Sequence, residues 1–373
     1  MRNARTPAPM HRTSRWGLVP RPLDRRPPLA WPAHLLIIGP GGLGDTIVAL
    51  PVLRRVRHAA PQTKISWIAP SAFRPLLEMA GVDGFIASDQ PPPVPQDFAD
   101  VGAMVTFQDA GASTYSQLGT LASIPLRIGS AHGLRQRRWC NHLVHVKRLG
   151  WPRHEAERNF RLLIPFGIDP APPLHELTRL AAIPPHDSAT PADLPTTGYV
   201  VLHAFSAGHA REWPIAHWIA LTGLLTARGW SVVLTGSASE AQRLAAAWPR
   251  ATRHAGVHDA FGRLDLGQLS GLLSRAAAVV AASTGPLHLA AALGVPSLGL
   301  FVPRKGLDLS RWAPLGARAQ GVQARTRCAL RCNAQSCRCI GELTPLAVAD
   351  AVASATRPEA DVARAPIALA RAS

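Results

Sequence analysis

"HLLIIGPGGLGDTIVALPVL", residues 34–53, contains the pattern that decides the fold. An apolar run at 34–38 is followed by GPGGLG at 39–44, and apolar residues then recur at helical spacing as far as Val56. A strand, a glycine turn and a helix in this order form the first unit of a doubly wound α/β sheet. Because GPGGLG also fits the G-x-G-x-x-G fingerprint, the stretch raises the question of a dinucleotide site.

The second predicted strand argues against a dinucleotide. Such a site needs an acid about 20 residues after the glycines, where it binds the ribose hydroxyls. The strand KISWIAPS, residues 64–71, ends in Ala69, Pro70 and Ser71 without an acid. Asp45, in the first turn of the predicted helix, then has two interpretations: an acid that interacts with the helix dipole, or a carboxylate that faces a cleft.

Strand-like and helical segments alternate through most of the chain, which predicts an α/β protein with parallel sheets. The basic stretch 127–153 breaks this alternation, and 153–168 is expected to form one amphipathic helix. A length of 373 residues favours two domains. The predicted divisions are a disordered basic leader (1–33), a first Rossmann-like domain (34–170), a Pro-rich linker (171–198), a second Rossmann-like domain (199–340), a C-terminal helix (341–356) and a tail (357–373).

Composition limits the classes of partner. The net charge is +17, carried mostly by arginine in a chain rich in alanine and proline, so it reflects either composition alone or an anionic partner. We expect no nucleic-acid binding, because no RNA-binding aromatic motif, zinc finger or recognition helix is evident. The sequence has no run of about 18 apolar residues, so no membrane span is predicted.

The cysteines are unevenly distributed. Cys140 stands alone, whereas four crowd the segment CALRCNAQSCRC: Cys328, Cys332, Cys337 and Cys339. Their spacing does not match the paired C-x2-C of common zinc sites, and the odd total argues against a secreted disulfide framework. Reduced thiols on a local loop and a metal-binding or redox-sensitive cluster stay open as alternatives.

The second half contains a predicted phosphate site. STGPLHLAAALG, residues 283–294, follows a strand and opens a helix, so Ser283, Thr284 and Gly285 offer hydroxyls and bare backbone at a helix N-terminus. His288, one turn later, either joins this site or is a packed core histidine.

Another strand end in that half, HAFSAGHAREWP at 203–214, supplies Ser206 and Arg211. An arginine there is suited to clamping a diphosphate. A carboxylate in one half and phosphate ligands in the other predict transfer of a group from a nucleotide to an acceptor held in the cleft.

The chain resembles the bacterial heptosyltransferases of glycosyltransferase family 9, which build the lipopolysaccharide inner core. The resemblance covers about residues 34–352 and rests on four segments in the family's order: GGLGDTIVALPVLRRVRHAAPQTKISWIA, HEAERNFRLL, REWPIAHWIALTGLLTARGWSVVLTG and STGPLHLAAALGVPSLGLF. It implies an α/β fold of GT-B architecture, with two Rossmann-like doubly wound domains facing a central cleft. It also implies inverting transfer of a heptose from an ADP-sugar, with neither cofactor nor metal.

The resemblance assigns roles to residues. The first domain would hold the acceptor and the second the nucleotide-sugar, with Asp45 as general base and Arg211 stabilising the leaving diphosphate. Glu240 is a weaker candidate for contact with the nucleoside, because it is equally explained as an acid at a helix N-terminus. The predicted donor ligands are Ser206, Ser283, Thr284, Gly285, His288 and Glu240.

The predicted acceptor contacts lie in the first domain. They are the glycines Gly41, Gly42 and Gly44 and the arginines Arg127, Arg135, Arg137 and Arg138, which would meet an anionic, lipid-linked saccharide. The alternative for the arginines is an ordinary solvated basic loop. The expected location is cytoplasmic and peripheral at the inner-membrane surface.

Two positions depart from the family pattern. Ser283 stands where the family commonly has aspartate, and Arg211 stands for a lysine, which preserves the charge but not its geometry. The alternatives are therefore a GT-B enzyme with a different nucleotide-sugar and a non-catalytic paralogue that binds nucleotide or glycan.

Overall fold

The structure, a computed structural model, describes residues 27–90, 98–107, 120–132, 134–146, 154–168, 172–185, 188–206, 208, 210–249, 255–326, 332–333, 335 and 337–357. Most of the predicted leader and all but the first residue of the predicted tail lie outside these residues.

The first half forms a six-stranded parallel sheet in the order β3-β2-β1-β4-β5-β6. Its elements are β1 (His34–Ile38), α1 (Leu43–Ala59), β2 (Lys64–Ala69), α2 (Arg74–Ala80), β3 (Gly84–Ala87), β4 (Ala103–Thr106), β5 (Leu126–Ser130), α3 (Leu134–Trp139), β6 (His142–Val144), α4 (Glu155–Phe160), a 3-10 helix (Arg161–Phe166) and α5 (Leu174–Ala181).

The second half forms another six-stranded parallel sheet, in the order β12-β11-β10-β7-β8-β9. Its elements are β7 (Tyr199–His203), α6 (Ile215–Ala227), β8 (Ser231–Thr235), α7 (Ala238–Ala247), β9 (Val257–Asp259), α8 (Leu266–Ser274), β10 (Ala278–Ala282), α9 (Gly285–Ala292), β11 (Ser297–Phe301), α10 (Leu309–Trp312), β12 (Ala319–Gln323), a 3-10 helix (Cys339–Glu342) and α11 (Pro345–Ala355).

Both sheets have the same doubly wound order, which reverses direction between β1 and β4 in the first sheet and between β7 and β10 in the second. Open α/β sheets bind ligands at the carboxyl ends of the strands beside such a reversal. Asp45 follows β1, Ser206 and Arg211 follow β7, and the Ser283–Gly285 loop follows β10. The topology therefore puts the main predicted site residues beside the two switch points.

Strand β1 shows why the sheets are parallel and buried. All five of its residues are inaccessible or nearly so, and alternation sends Leu35 and Ile37 into the core shared with α1, while Leu36 and Ile38 pack on the opposite face. A strand covered on both faces reads as a continuous apolar run rather than an alternating one. This is the pattern of HLLII at 34–38.

Three segments differ from the sequence-based expectations. The basic stretch 127–153, expected to break the alternation, contains α3, β6 and most of β5; β6 is only three residues long, too short to show a period. The predicted linker contains α5, because Leu177, Leu180 and Ala181 form an apolar stripe that is buried in the same apolar core as β1 and α1. The expected helix over 153–168 narrows to a 3-10 helix after Phe160, since Pro165 cannot donate a backbone hydrogen bond.

Candidate functional site

The loop after β1 touches the loop after β10. A Cβ at Gly44 would lie 2.9 Å from Cδ2 of His288, and a Cβ at Gly285 would lie 2.8 Å from Cβ of Leu43. Only glycine allows the two backbones to approach this closely without displacing a neighbour. The structure therefore brings the predicted acceptor loop of the first half into contact with the predicted phosphate loop of the second half.

Asp45 lies at this junction, in the first turn of α1 and partly buried. Its carboxylate folds back over the turn, so that Oδ2 occupies the space a Gly42 side chain would need. Gly41 is exposed and Gly42 is half-buried at the same turn. The glycines thus leave room for a carboxylate at the mouth of the junction.

The N-terminus of α9 has no side-chain cap. Ser283, Thr284 and Gly285 are half-buried, and Thr284 has the extended backbone of an N-cap residue. Its hydroxyl bonds back to the carbonyl of Ala282 at 3.3 Å instead of capping the helix. The later N–H groups of this turn already donate to the Thr284 carbonyl, so the Gly285 N–H and the dipole of α9 are what an anion would meet there.

His288 is 2% exposed, and its ring meets the Trp312 ring edge-on at 6.3 Å between centroids. Burial lowers the pKa of His288 to about 3, and nearby His154 acts in the same direction. The imidazole is therefore neutral at physiological pH. Among the described residues its Nδ1 finds no hydrogen-bond partner, so the environment matches the packed histidine that the sequence left open as an alternative.

Arg211 lies in a loop that is built around a buried carboxylate. Glu212 accepts two hydrogen bonds from the Arg243 guanidinium, at 3.1 and 2.6 Å, and one from the backbone N–H of Ser206 at 3.0 Å. Arg243 also lies over the ring of Phe205, 4.4 Å from its centroid. A bidentate arginine–carboxylate pair of this kind holds both partners in a fixed geometry. Sequence reasoning missed Glu212 and Arg243, although Glu212 directly follows the candidate arginine.

The side chains of Arg211 and Ser206 differ in how many of their hydrogen-bonding groups already have partners. Arg211 Nη2 donates to the Cys332 carbonyl at 3.2 Å, while within the described part of the chain its buried Nε has no partner. The Ser206 hydroxyl donates to the Ala210 carbonyl at 3.2 Å and accepts from the Gly208 N–H at 3.3 Å. Ser206 therefore closes its own loop, whereas Arg211 retains capacity to donate.

Glu240 forms a capping box at the start of α7. Its Oε2 accepts from the backbone N–H and the hydroxyl of Ser237, at 2.8 and 2.9 Å, and its own N–H donates to that hydroxyl. This is the role of the helix N-terminal acid that the sequence also allowed. The predicted contact with the nucleoside stays a prediction.

The four predicted acceptor arginines are not equivalent. Arg127 is part of the fold, since its guanidinium donates to the carbonyls of Ala122, Ile124 and Trp139 at 2.7–3.0 Å. Arg137 and Arg138 are exposed on α3. The Arg135 side chain lies outside the described residues.

Comparison with known proteins identifies the family. The family model described as glycosyltransferase family 9 (heptosyltransferase) matches residues 110–339. The chain belongs to glycosyltransferase family 9. It is thus a glycosyltransferase, as the four sequence segments predicted.

Related proteins agree with this family assignment. The chain is 28% identical to lipopolysaccharide heptosyltransferase 1 of Pseudomonas aeruginosa over 72% of its own length and 79% of the relative's. It is similar in fold to the solved E. coli ADP-heptose lps heptosyltransferase II, with a TM-score of 0.66, 20% identity and coverage of 87% of this chain and 98% of that one.

A second solved structure, E. coli heptosyltransferase WaaC with ADP, gives a TM-score of 0.61 at 20% identity, with coverage of 86% of this chain and 99% of that one. The predicted GT-B architecture is confirmed by these neighbours and by the two sheets.

In the part of the chain that the structure describes, no three His, Cys, Asp or Glu side chains are grouped to hold a metal ion. Cys337 and Cys339 are buried in an apolar core of the second half, Cys332 packs against that core, and Cys328 lies outside the described residues. Among the described helices, none has the length and apolar character needed to cross a bilayer.

The low pKa of His288 predicts a pH dependence of stability. Between about pH 6.5 and 3 the unfolded chain binds a proton at this residue that the folded chain does not, so the free energy of unfolding falls as the pH falls through that range. One such group contributes at most about 1.4 kcal/mol per pH unit. Urea unfolding of wild type and His288→Leu between pH 7.5 and 5 should show a shallower loss of stability in the variant. Equal slopes would contradict the assignment.

Proposed function

We propose that this family 9 enzyme transfers a heptose from ADP-heptose to the core of lipopolysaccharide, with inversion and without a metal ion. The observation that carries the proposal is the contact between the loop that holds Asp45 and the Ser283–Gly285 loop. The names of the relatives, a lipopolysaccharide heptosyltransferase and an ADP-heptose lps heptosyltransferase, support the choice of donor and acceptor.

Asp45 is proposed as the general base. A carboxylate at this position would take the proton of an acceptor hydroxyl while the hydroxyl oxygen attacks the anomeric carbon of the sugar. The bond from that carbon to the diphosphate breaks as the new bond forms, and its electron pair leaves with ADP. Attack from the face opposite the diphosphate inverts the anomeric configuration.

The second half would neutralise the leaving group. The N-terminus of α9 would provide the Gly285 N–H and a positive dipole end, and Arg211 would provide a cation from the loop after the neighbouring strand β7. Neutral His288, packed behind the phosphate loop, would support its position rather than contribute charge. These groups would offset part of the charge of the diphosphate, which supports the proposed transfer without a metal ion.

Replacing Asp45 tests the proposed base. Asp45→Asn keeps the shape but cannot accept a proton, so kcat for transfer should fall by about 10²–10⁴ while the Kd for ADP, measured by calorimetry, changes little. Asp350→Asn, on α11 and paired with Arg228, is the matched control and should retain wild-type kcat. Wild-type turnover in Asp45→Asn would exclude it as the base.

A second prediction concerns the donor and the metal. Calorimetry on the purified chain should show tighter binding of ADP than of UDP or GDP, and transfer from ADP-heptose should be unchanged by EDTA. Preference for UDP or GDP would point to another nucleotide-sugar, which the change at Ser283 leaves open. Nucleotide binding without transfer or donor hydrolysis would instead indicate a non-catalytic paralogue.

We further propose that α3 brings the enzyme to an anionic membrane surface, where a lipid-linked acceptor would reside. Leu134 is 85% exposed, Arg137 and Arg138 are exposed beside it, and residues 127–153 contain no acid. Since α3 follows the carboxyl end of β5, it lies at the same edge of the sheet as the Asp45 loop. An exposed leucine among arginines suits contact with headgroups and the acyl boundary.

Vesicle sedimentation tests this surface. Wild type should sediment with vesicles containing phosphatidylglycerol and much less with pure phosphatidylcholine. Leu134→Ser combined with Arg138→Gln should weaken that binding about fivefold or more, because each basic residue near the surface contributes about 1 kcal/mol. Leu346→Ser, which changes a leucine that is 55% exposed on α11, should have no effect. Equal binding by wild type and both variants would exclude α3 as the membrane-binding surface.

A further inference from the structure

A buried carboxylate forms an ion pair between the two halves of the protein. Glu155, at the start of α4, has a side chain only 6% exposed, and its Oε2 accepts from Nε of Arg311 at 2.8 Å and from Nη1 of Arg158 at 3.2 Å. Arg158 is on the same helix, whereas Arg311 comes from α10 in the second half. A buried carboxylate needs such partners, because an unpaired charge there is strongly destabilising.

The residue before Glu155 makes a second link to the same short helix. His154 accepts from the N–H of Ala156 through Nδ1 at 3.1 Å, which leaves Nε2 to donate to the Ala313 carbonyl at 2.9 Å. Burial lowers the pKa of His154, so this neutral form is maintained. Two consecutive side chains of the first half therefore hold α10 at Arg311 and at the residue after its end.

Each side of this link is attached to its own half. Arg161, after α4, donates to the His145 carbonyl at 3.3 Å, next to β6. On the other side, the N–H of Leu309 donates to Gln323 of β12 at 2.8 Å. The link therefore transmits the position of one sheet to the other.

From α10 the contacts lead back to the candidate site. The Arg311 guanidinium lies 5.2 Å from the centroid of the Trp312 ring, and the Trp312 indole N–H donates to the Gly306 carbonyl at 2.8 Å. Trp312 packs edge-on against His288 in the first turn of α9, and His288 in turn backs onto Gly44, next to Asp45. The distance between the Asp45 loop and the phosphate loop thus depends on the position of α10 relative to α9.

We propose that Glu155 and Arg311 are positioning residues. Their ion pair fixes the position of the two sheets relative to each other, and through Trp312 and His288 it sets the position of Asp45 relative to the phosphate loop. The inference rests on the proposed function of that site. Neither residue contacts a substrate in this role, and the pair acts by holding the reacting groups in line.

The proposal predicts an unequal effect on turnover and donor binding. Misplacement of reacting groups by about 1 Å can cost 100-fold in rate, whereas ADP would be held by the second half alone. Arg311→Met should therefore lower kcat by about 10- to 100-fold and change the Kd for ADP less than about threefold. Arg311→Lys should recover part of the lost kcat, because it restores a cation opposite Glu155.

A double-mutant cycle tests the pairing. Glu155→Gln and Arg311→Met should each lower kcat, and the double variant should be no worse than the more affected single variant, since both break one interaction. Arg228→Met is the matched control: it removes an arginine–aspartate pair of 2.6 Å that lies within the second half, and it should leave kcat unchanged.

Three outcomes would overturn the proposal: wild-type kcat in Arg311→Met, additive losses in the cycle, or a Kd for ADP that rises in step with the fall in kcat, which would make Arg311 a donor ligand. Failure of the proposed function is distinguishable, since wild type itself would then transfer no heptose from ADP-heptose. In that case the same cycle in urea unfolding, with small-angle X-ray scattering of each variant, decides whether the pair holds the halves together.

Discussion

The close approach of two helix N-termini, α1 and α9, is the constraint on which the rest of the structure depends. Each begins at the carboxyl end of a strand beside a switch point. Each also has a glycine where the other helix approaches it, Gly44 in α1 and Gly285 in α9. A side chain at either position would push the two sheets apart. Gly44, the last glycine of the dinucleotide-like fingerprint, therefore serves contact between the two halves, next to Asp45.

Around this contact, buried charges organise the loops. Glu212 holds Arg243 and the Ser206 backbone, and so gives a fixed shape to the loop that presents Arg211. Glu155 performs the corresponding task between the halves through Arg311. Buried ion pairs contribute little net stability compared with apolar packing, but losing one partner is costly, which makes them well suited to fixing a geometry.

The two departures from the family pattern, Arg211 and Ser283, change the contacts and the charge near the junction. Arg211 reaches the Cys332 carbonyl with its outer nitrogen, a contact that a shorter-reaching lysine at this position would make differently. Ser283 leaves the phosphate loop without a carboxylate, so the N-terminus of α9 meets an anion with less repulsion. The change at 283 makes the second half less acidic at the junction, whereas the change at 211 preserves the charge and alters its geometry.

The sequence by itself determined the α/β class, the two doubly wound domains and the residues at their strand ends, because buried parallel strands and glycine turns are local patterns. HLLII and AVVAA, followed by glycine-containing turns, were sufficient to find Asp45 and the Ser283–Gly285 loop. The sequence did not predict β6, because three residues are too few to show a period. It did not predict α5, because its apolar stripe lies inside a Pro-rich segment. Only the tertiary structure decided that Arg127 serves the fold, that Glu240 caps a helix and that Glu155 meets Arg311 from the other half. Side-chain contacts leave no periodic pattern in the sequence: Glu240 had two local explanations there, and Glu155 and Arg311 lie 156 positions apart.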